Sequence, residues 1–248
     1  MFDCEQYPTD KQAKEQIVEI GKRMYQQGYV VTNDGNITVK VSPTELWVTP
    51  TGVSKGYMTP DMMVKMDLDG NILAGSCRPS SEVKMHLRVF RENPDVRGVV
   101  HAHPVNATSF ACAGIPLDAP ILMEAIMQLG TVPVVHYAKP GTYDVPDGIA
   151  PYCRDYNAVL LANHGVLTWG GSLLQAYHRM EVVETYARVI LNTLSLKKQW
   201  RFSESQVADL DDARRKAGFL TGKLPQGVEK AENMQDVLPA VRRETTRP

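Results

Sequence analysis

The sequence predicts an α/β protein, a central β-sheet with helices packed on it, and two observations predict it. Segments whose apolar residues recur every three or four positions alternate with short runs rich in β-branched residues, with turn-forming residues between them. Neither kind of segment dominates, and no internal repeat or low-complexity tract interrupts the alternation, so sheet and helices must share one core. With 248 residues, 43% of them hydrophobic, the chain can bury such a core as one large domain or two small ones.

The elements follow in order. From Thr9 to about Gly28 the residues Ala13, Ile17, Ile20 and Met24 fall on one helix face, with Asp10 placed as N-cap and Gly28 as terminator. "NITVKV" and "ELWVTP", separated by the turn-prone "SPT", read as an antiparallel pair. "MVKMDLDGNIL" repeats the theme, with Asp69-Gly70 as its hairpin turn. "SSEVKMHLRVFRENP" switches to helical period, with Val83, Leu87 and Phe90 on one side, and closes before Pro94. "VRGVVHAH" is a strand, "PVNATSFACAG" a helix whose first turn accepts Pro104, and "TVPVVHY" another strand. "NAVLLANHGVLTWG" reads as one strand running into a glycine-containing turn. "SLLQAYHRMEVVETYARVILNTL" is the longest amphipathic helix, with Ser172 as its cap. The main domain therefore spans residues 1–200. Residues 201–248 turn polar and charged and read as a helical tail with a frayed end, which can close over a site.

Composition excludes several classes of function. The formal net charge of -1 offers no global basic field for nucleic acid. No run approaches a membrane span, and the opening "MFDCEQYPTDKQAKEQ" lacks the apolar centre of a secretory signal. Cys4, Cys77, Cys112 and Cys153 are scattered without a CxxC pair, which fits reduced thiols and a cytoplasmic location.

Chemistry concentrates in a few places. On a strand, residues i and i+2 share a face, so His101 and His103 can address one point, and Pro104 ends the strand there. Such a pair is either two polar residues at a sheet rim or half of a site. His164, after the apolar "AVLLAN", is either a hydrogen-bonded structural residue or the third nitrogen of a catalytic zinc with an open position. His86, His136 and His178 read as structural. Glu82 follows Ser80 and Ser81 at a helix start, which fits plain helix capping or, with the bare amides there, an anion site. The loops "TNDGNIT", with Gly35 and Asn36, and "VTPTGVSKG", with Thr51, Gly52 and Ser54, are either ordinary turns or parts of that site. Neither is a phosphate loop of the glycine-lysine-serine type or a dinucleotide fingerprint.

Together "DGNIT", "TPTGVSKG", "PSSE", "HAHP" and "NHG" resemble, in order and approximate spacing, the class II aldolase/adducin family, over roughly residues 10 to 195. The resemblance implies a three-layer α/β/α sandwich around a largely antiparallel sheet, assembled as a homotetramer with active sites at subunit interfaces. It implies that His101, His103 and His164 bind a divalent metal, usually zinc, with Glu82 as the base and a fourth ligand when substrate is absent. It also implies that Asn36, Thr51, Gly52, Ser80 and Ser81 hold the substrate phosphate. The reaction so implied is cleavage of a ketose 1-phosphate, similar to L-fuculose 1-phosphate, into dihydroxyacetone phosphate and an aldehyde.

One position departs from the aldolase pattern. Where a tyrosine near the neighbouring subunit's site is expected, "APILMEAIMQLG" offers Glu124, as in sugar-phosphate dehydratases acting on 5-methylthioribulose 1-phosphate. Glu124 is therefore a second candidate catalytic residue, beside the reading of a helix-surface glutamate. The dehydratase and a sugar-phosphate 4-epimerase stand as alternatives, although the epimerase would favour aspartate at position 82. A non-catalytic, adducin-like oligomerisation module is the alternative outside enzymes, but such relatives lack the metal histidines that this chain keeps.

Overall fold

The computed structural model describes residues 7–139 and 142–228. Its first helix, α1 (Asp10–Gln26), is capped by Thr9 rather than Asp10. Two adjacent residues can cap, and Gln12 decides between them. Its amide N–H reaches the Thr9 hydroxyl at 3.3 Å, while its side chain accepts from the Thr9 N–H at 2.9 Å, closing a reciprocal capping box. Asp10 is thereby freed to accept from the Trp47 indole at 2.9 Å. Gly28, at φ +70°, lets the chain leave the helix as expected.

The strands β1 (Asn36–Lys40), β2 (Glu45–Val48), β3 (Val64–Asp67), β4 (Ile72–Ala74), β5 (Gly98–Ala102), β6 (Val134–Val135), β7 (Ala158–Leu161) and β8 (Gly165–Gly170) form one eight-stranded sheet. Their order is β4-β3-β2-β1-β5-β8-β7-β6, and every pairing is antiparallel except β6 with β7. The expected β1–β2 pair and the Asp69-Gly70 turn are present, with Gly70 at φ +91°. Two expectations are corrected. "NAVLLANHGVLTWG" is two strands, because Asn163 adopts a left-handed φ of +58° and reverses the chain within an otherwise apolar run. "TVPVVHY" keeps only Val134 and Val135 in the sheet, since Pro133 offers no N–H to continue the ladder.

Side-chain alternation along these strands feeds two apolar clusters. Ile37, Val39, Val100, Ala102, Leu160 and Val166 pack with Ile17 and Met24 of α1 and with residues of α3 (Val105–Ala113), α4 (Met123–Gln128) and α6 (Leu173–Ser195). Leu46, Val48, Val99, Val159, Leu167 and Trp169 pack instead with Val83, Leu87 and Phe90 of α2 (Val83–Glu92) and with Ile149 of α5 (Asp144–Ile149). Ser172 caps α6 as expected. Pro104 stands at the N-cap position of α3, one residue before the helix. The buried Glu184 of α6 receives the α3 amides of Asn106 at 3.1 Å and Ala107 at 2.9 Å, where a carboxylate suits a helix start. That contact fixes the corner immediately after His103.

The polar segment after Trp200 contains a docked helix, α7 (Glu204–Lys216), which packs on α4. Its buried Arg214 donates to the carbonyls of Ile126 at 3.1 Å and Gly222 at 3.0 Å. The frayed end expected beyond it lies outside the described residues. No helix among those described is long and apolar enough to cross a membrane.

His86 is structural, as expected: fully buried in α2, with its ring 2.9 Å from the Thr38 hydroxyl. Burial pushes its imidazole down to about 3, against a weaker opposite pull from Glu82. The unfolded chain takes up this proton near pH 6.5 and the folded one only near pH 3, so its contribution to stability is complete above the first value and declines towards the second. Between about pH 7 and about pH 5 this group alone should lower stability by about 2 kcal/mol. Urea unfolding of His86→Leu should lose that much less than wild type over the same interval. An equal pH loss in both proteins would assign the acid sensitivity elsewhere.

Candidate active site

His101 sits near the end of β5, wholly buried, with Nδ1 2.9 Å from the Val166 carbonyl of β8. A carbonyl only accepts, so Nδ1 carries the proton and Nε2 presents its lone pair to the interior. His103, one step beyond the strand, places its Nε2 3.0 Å from that of His101. The left-handed Asn163 turns His164 towards the same point. One ring nitrogen from each of the three histidines lies within 4.8 Å of the others.

Two nitrogens bound to one tetrahedral ion at ~2.05 Å stand about 3.3 Å apart, so the His101–His103 spacing fits a shared metal. Burial holds His101 well below the usual imidazole range, and burial together with His164 lowers His103. Both are thus kept in the neutral form that binds metal. The three residues fit a divalent cation with a position left open.

Glu82 completes the cluster. Its carboxylate oxygens lie 3.2 Å from His164 Nε2 and 3.6 Å from His101 Nε2, and it accepts from the Asn36 amide at 2.8 Å. Burial pushes this carboxyl up, but His101, His164 and Asn36 outweigh it and hold it below the ordinary carboxylate range. Glu82 stands at the N-cap position of α2 without capping it by its side chain. The Ser80 hydroxyl takes the Glu82 N–H at 3.3 Å instead. The capping alternative therefore accounts for neither residue, since Ser80 lies two positions before the N-cap and closes only a local turn.

The proposed anion residues gather beside Glu82. Thr51 N–H donates to the Arg78 carbonyl at 2.9 Å and Ser80 N–H to the Thr49 carbonyl at 3.1 Å, which ties the two loops side by side. Ser80 is buried, whereas Thr51, Gly52 and Ser81 face solvent. Asn36 lies directly opposite His101 in the sheet register, with one amide hydrogen committed to Glu82. Glu124 does not join them: it is exposed in the first turn of α4, with no hydrogen bond or ion pair to these residues among those described.

Two residues escaped sequence reasoning. Asp34 lies 3.7 Å from His103 Nδ1, where it can orient that ring, but in "TNDGN" it looks like an ordinary turn residue. Lys55, only 1% exposed, donates to the carbonyls of Asn33 at 2.9 Å and Val53 at 2.7 Å and stitches two site loops together. Burial pushes its ammonium down to about 8, opposed by Asp34 and Glu82. Its one sequence signal is indirect: Gly21 lets α1 lie against the Lys55 backbone, whose carbonyl would stand 2.7 Å from any Cβ there.

Gly165 makes a similar allowance. A Cβ at this position would come within 2.5 Å of the His103 ring and 2.6 Å of the Ala102 carbonyl. Gly165→Ala should fold, with overpacking of about 1–3 kcal/mol, and should bind metal about tenfold more weakly because the ring must move. Unchanged metal affinity in the folded variant would show that this glycine does not hold His103 in place.

Residues 15–191 match the model of the class II aldolase and adducin N-terminal domain family. The 3-oxo-tetronate 4-phosphate decarboxylase of Haemophilus influenzae is 32% identical over 208 residues, covering 82% of this chain and 98% of that protein. The L-fuculose phosphate aldolase of Methanocaldococcus jannaschii is 32% identical over 185 residues, covering 75% of this chain and 99% of that protein. The crystal structure of YgbL from Klebsiella pneumoniae superposes with a TM-score of 0.77 at 32% identity, covering 82% of this chain and 99% of that one. On this match and this site, the chain belongs to the class II aldolase and adducin family and is a lyase-type enzyme.

Proposed function

We propose that this enzyme cleaves the carbon–carbon bond between the carbons α and β to the keto group of a phosphorylated keto sugar and releases dihydroxyacetone phosphate. The observation that supports it most is the convergence of His101, His103, His164 and Glu82 on one point. In this reading the three histidines hold a divalent cation, zinc first, which when bound supplies Lewis-acid stabilisation to the developing charge on the carbonyl oxygen. Ser80, Ser81, Thr51, Gly52 and the second amide hydrogen of Asn36 anchor the phosphate. Neutral donors on tied loops fix the reacting carbon relative to Glu82.

Two reactions fit one set of roles. In aldol cleavage of a ketose 1-phosphate, the C4 hydroxyl loses its proton, the C3–C4 bond breaks, and an aldehyde leaves. In decarboxylation of 3-oxo-tetronate 4-phosphate, the bond to the carboxylate breaks and carbon dioxide leaves. Either way the electron pair remains as the enediolate of dihydroxyacetone phosphate, and Glu82, which takes its proton from the C4 hydroxyl in aldol cleavage and from solvent in decarboxylation, delivers it to the carbon that becomes the hydroxymethyl group. The residues support aldol cleavage through the motifs around Ser80–Glu82. The decarboxylase relative, spanning 98% of its length at 32% identity, favours the second reaction. The two clusters on opposite faces of the sheet support a three-layer sandwich. A homotetramer that brings Glu124 to a neighbouring site, and a cytoplasmic location suited to free Cys77, Cys112 and Cys153, complete the reading.

Metal-replete protein should release dihydroxyacetone phosphate from L-fuculose 1-phosphate or from 3-oxo-tetronate 4-phosphate, measured by a coupled dehydrogenase assay. Carbon dioxide measured in parallel separates the two reactions. Turnover of other sugar phosphates without any dihydroxyacetone phosphate would instead indicate epimerase or dehydratase chemistry.

A further inference from the structure

Lys55 begins a short turn, Lys55–Tyr57, that is pressed onto α1. A Cβ on Gly21 of α1 would stand 2.7 Å from the Lys55 carbonyl, and one on Gly56 would stand 2.6 Å from the Tyr25 ring. Two glycines, one on each partner, therefore let turn and helix meet at close range. The base of the lysine is fixed by a helix.

Its head is fixed by two loops. The ammonium donates to the Asn33 carbonyl at 2.9 Å and to the Val53 carbonyl at 2.7 Å. The first carbonyl belongs to the loop that carries Asn36, and the second follows Thr51 and Gly52 directly. Strain marks the first loop, where the β-branched Thr32 is held at φ +49°, a left-handed conformation that it disfavours. Such backbone persists only where its surroundings hold it, and the bond from Lys55 to the next carbonyl is one such hold.

A charge is not what stability alone would place here. Burying an ammonium is costly unless a carboxylate offsets it, and among the described residues its bonded partners are neutral carbonyls. Asp34 and Glu82 act on it through their fields. A neutral donor could join the same two carbonyls without that cost. The charge becomes useful once a dianion settles on the loops, because a buried cation nearby favours its binding.

We propose that Lys55 is the positioning residue of the phosphate subsite, tying the loops of Asn36 and of Thr51 and Gly52 together through the Asn33 and Val53 carbonyls. The proposal rests on the phosphate reading given above. Lys55 does not touch the substrate; it acts through the loops that do.

The test uses the full, metal-replete chain. Dihydroxyacetone phosphate and acetohydroxamate, an unphosphorylated metal chelator, are titrated separately by calorimetry. Lys55→Met keeps the stem and removes the ammonium. It should weaken dihydroxyacetone phosphate about tenfold or more, as loss of charged hydrogen bonds does, and acetohydroxamate by less than about twofold. In the exchange of the hydroxymethyl proton of dihydroxyacetone phosphate into heavy water, half-saturation should rise by a similar factor. The saturated exchange rate should fall by less than about threefold, the pattern of lost ground-state binding. Lys55→Gln, which keeps a donor for one carbonyl, should lose less affinity, and it serves in place of Lys55→Met should that variant fail to fold. Ser81→Ala separates the two readings. If Ser81→Ala weakens dihydroxyacetone phosphate and the Lys55 variants do not, the phosphate reading stands and the role of Lys55 is overturned. If none of them weakens it, the phosphate reading fails and this proposal falls with it. Equal losses for both ligands in Lys55→Met would also overturn the proposal, by showing that the whole site collapses.

Discussion

Glu82→Gln should reduce turnover by about two to four orders of magnitude, the usual worth of a general acid–base group. The substitution keeps the shape of the side chain while removing its charge and its basicity. Metal should largely remain, because three neutral imidazoles still hold it. Exchange of the hydroxymethyl proton of dihydroxyacetone phosphate into heavy water should fall in parallel. That half-reaction needs only the keto phosphate, the metal and the base, so it serves for aldol cleavage and decarboxylation alike. Near wild-type exchange in metal-replete Glu82→Gln would place the base elsewhere, with Glu124 as the next residue to test.

His164→Ala should abolish turnover by emptying the centre. Loss of a supporting partner costs a metal site ~10–100-fold in affinity, and loss of a direct ligand should exceed that. Elemental analysis should find about one equivalent of zinc per wild-type chain and far less in the variant, with His101→Ala and His103→Ala behaving alike. His101 is buried and bonded to Val166, so its removal also opens a gap in the sheet, which makes the more exposed His164 the cleaner experiment. A folded His164→Ala protein with full metal occupancy would break the three-histidine assignment.

How much of this was legible in the sequence depended on the range of the signal. The period-two spacing of His101 and His103 before Pro104 is a local pattern, and it placed both rings correctly. The Thr9 capping box was equally local, but it was overlooked because Asp10 fits the same role. His164 required the family resemblance, because Asn163 turns the chain inside an apolar run whose periodicity is the same for one strand or two. Asp34 and Lys55 were illegible for a different reason. Their importance comes from burial against elements distant in sequence, and a charged residue in a glycine-containing turn looks the same whether exposed or enclosed. The helix after Trp200 was expected but its docking on α4 was hidden likewise, since a polar segment held by arginine–carbonyl bonds shows no strong apolar stripe.

The backing of His101 by the Val166 carbonyl separates what is held rigidly from what is free to vary. The three histidines stand on strand ends and a hairpin whose positions are set by ladder hydrogen bonds, and Glu82 stands at a helix start. Thr51, Gly52 and Ser81, by contrast, sit on solvent-facing loops, and Glu124 lies on an exposed helical turn. In the proposed reading Thr51, Gly52 and Ser81 grip the phosphate of the half that both reactions retain, so within that second group it is drift at Glu124 that can change which fragment departs without disturbing how the remaining charge is stabilised. A lineage built this way can exchange a departing aldehyde for departing carbon dioxide through peripheral substitutions alone, which gives a physical reason for two activities to share one scaffold.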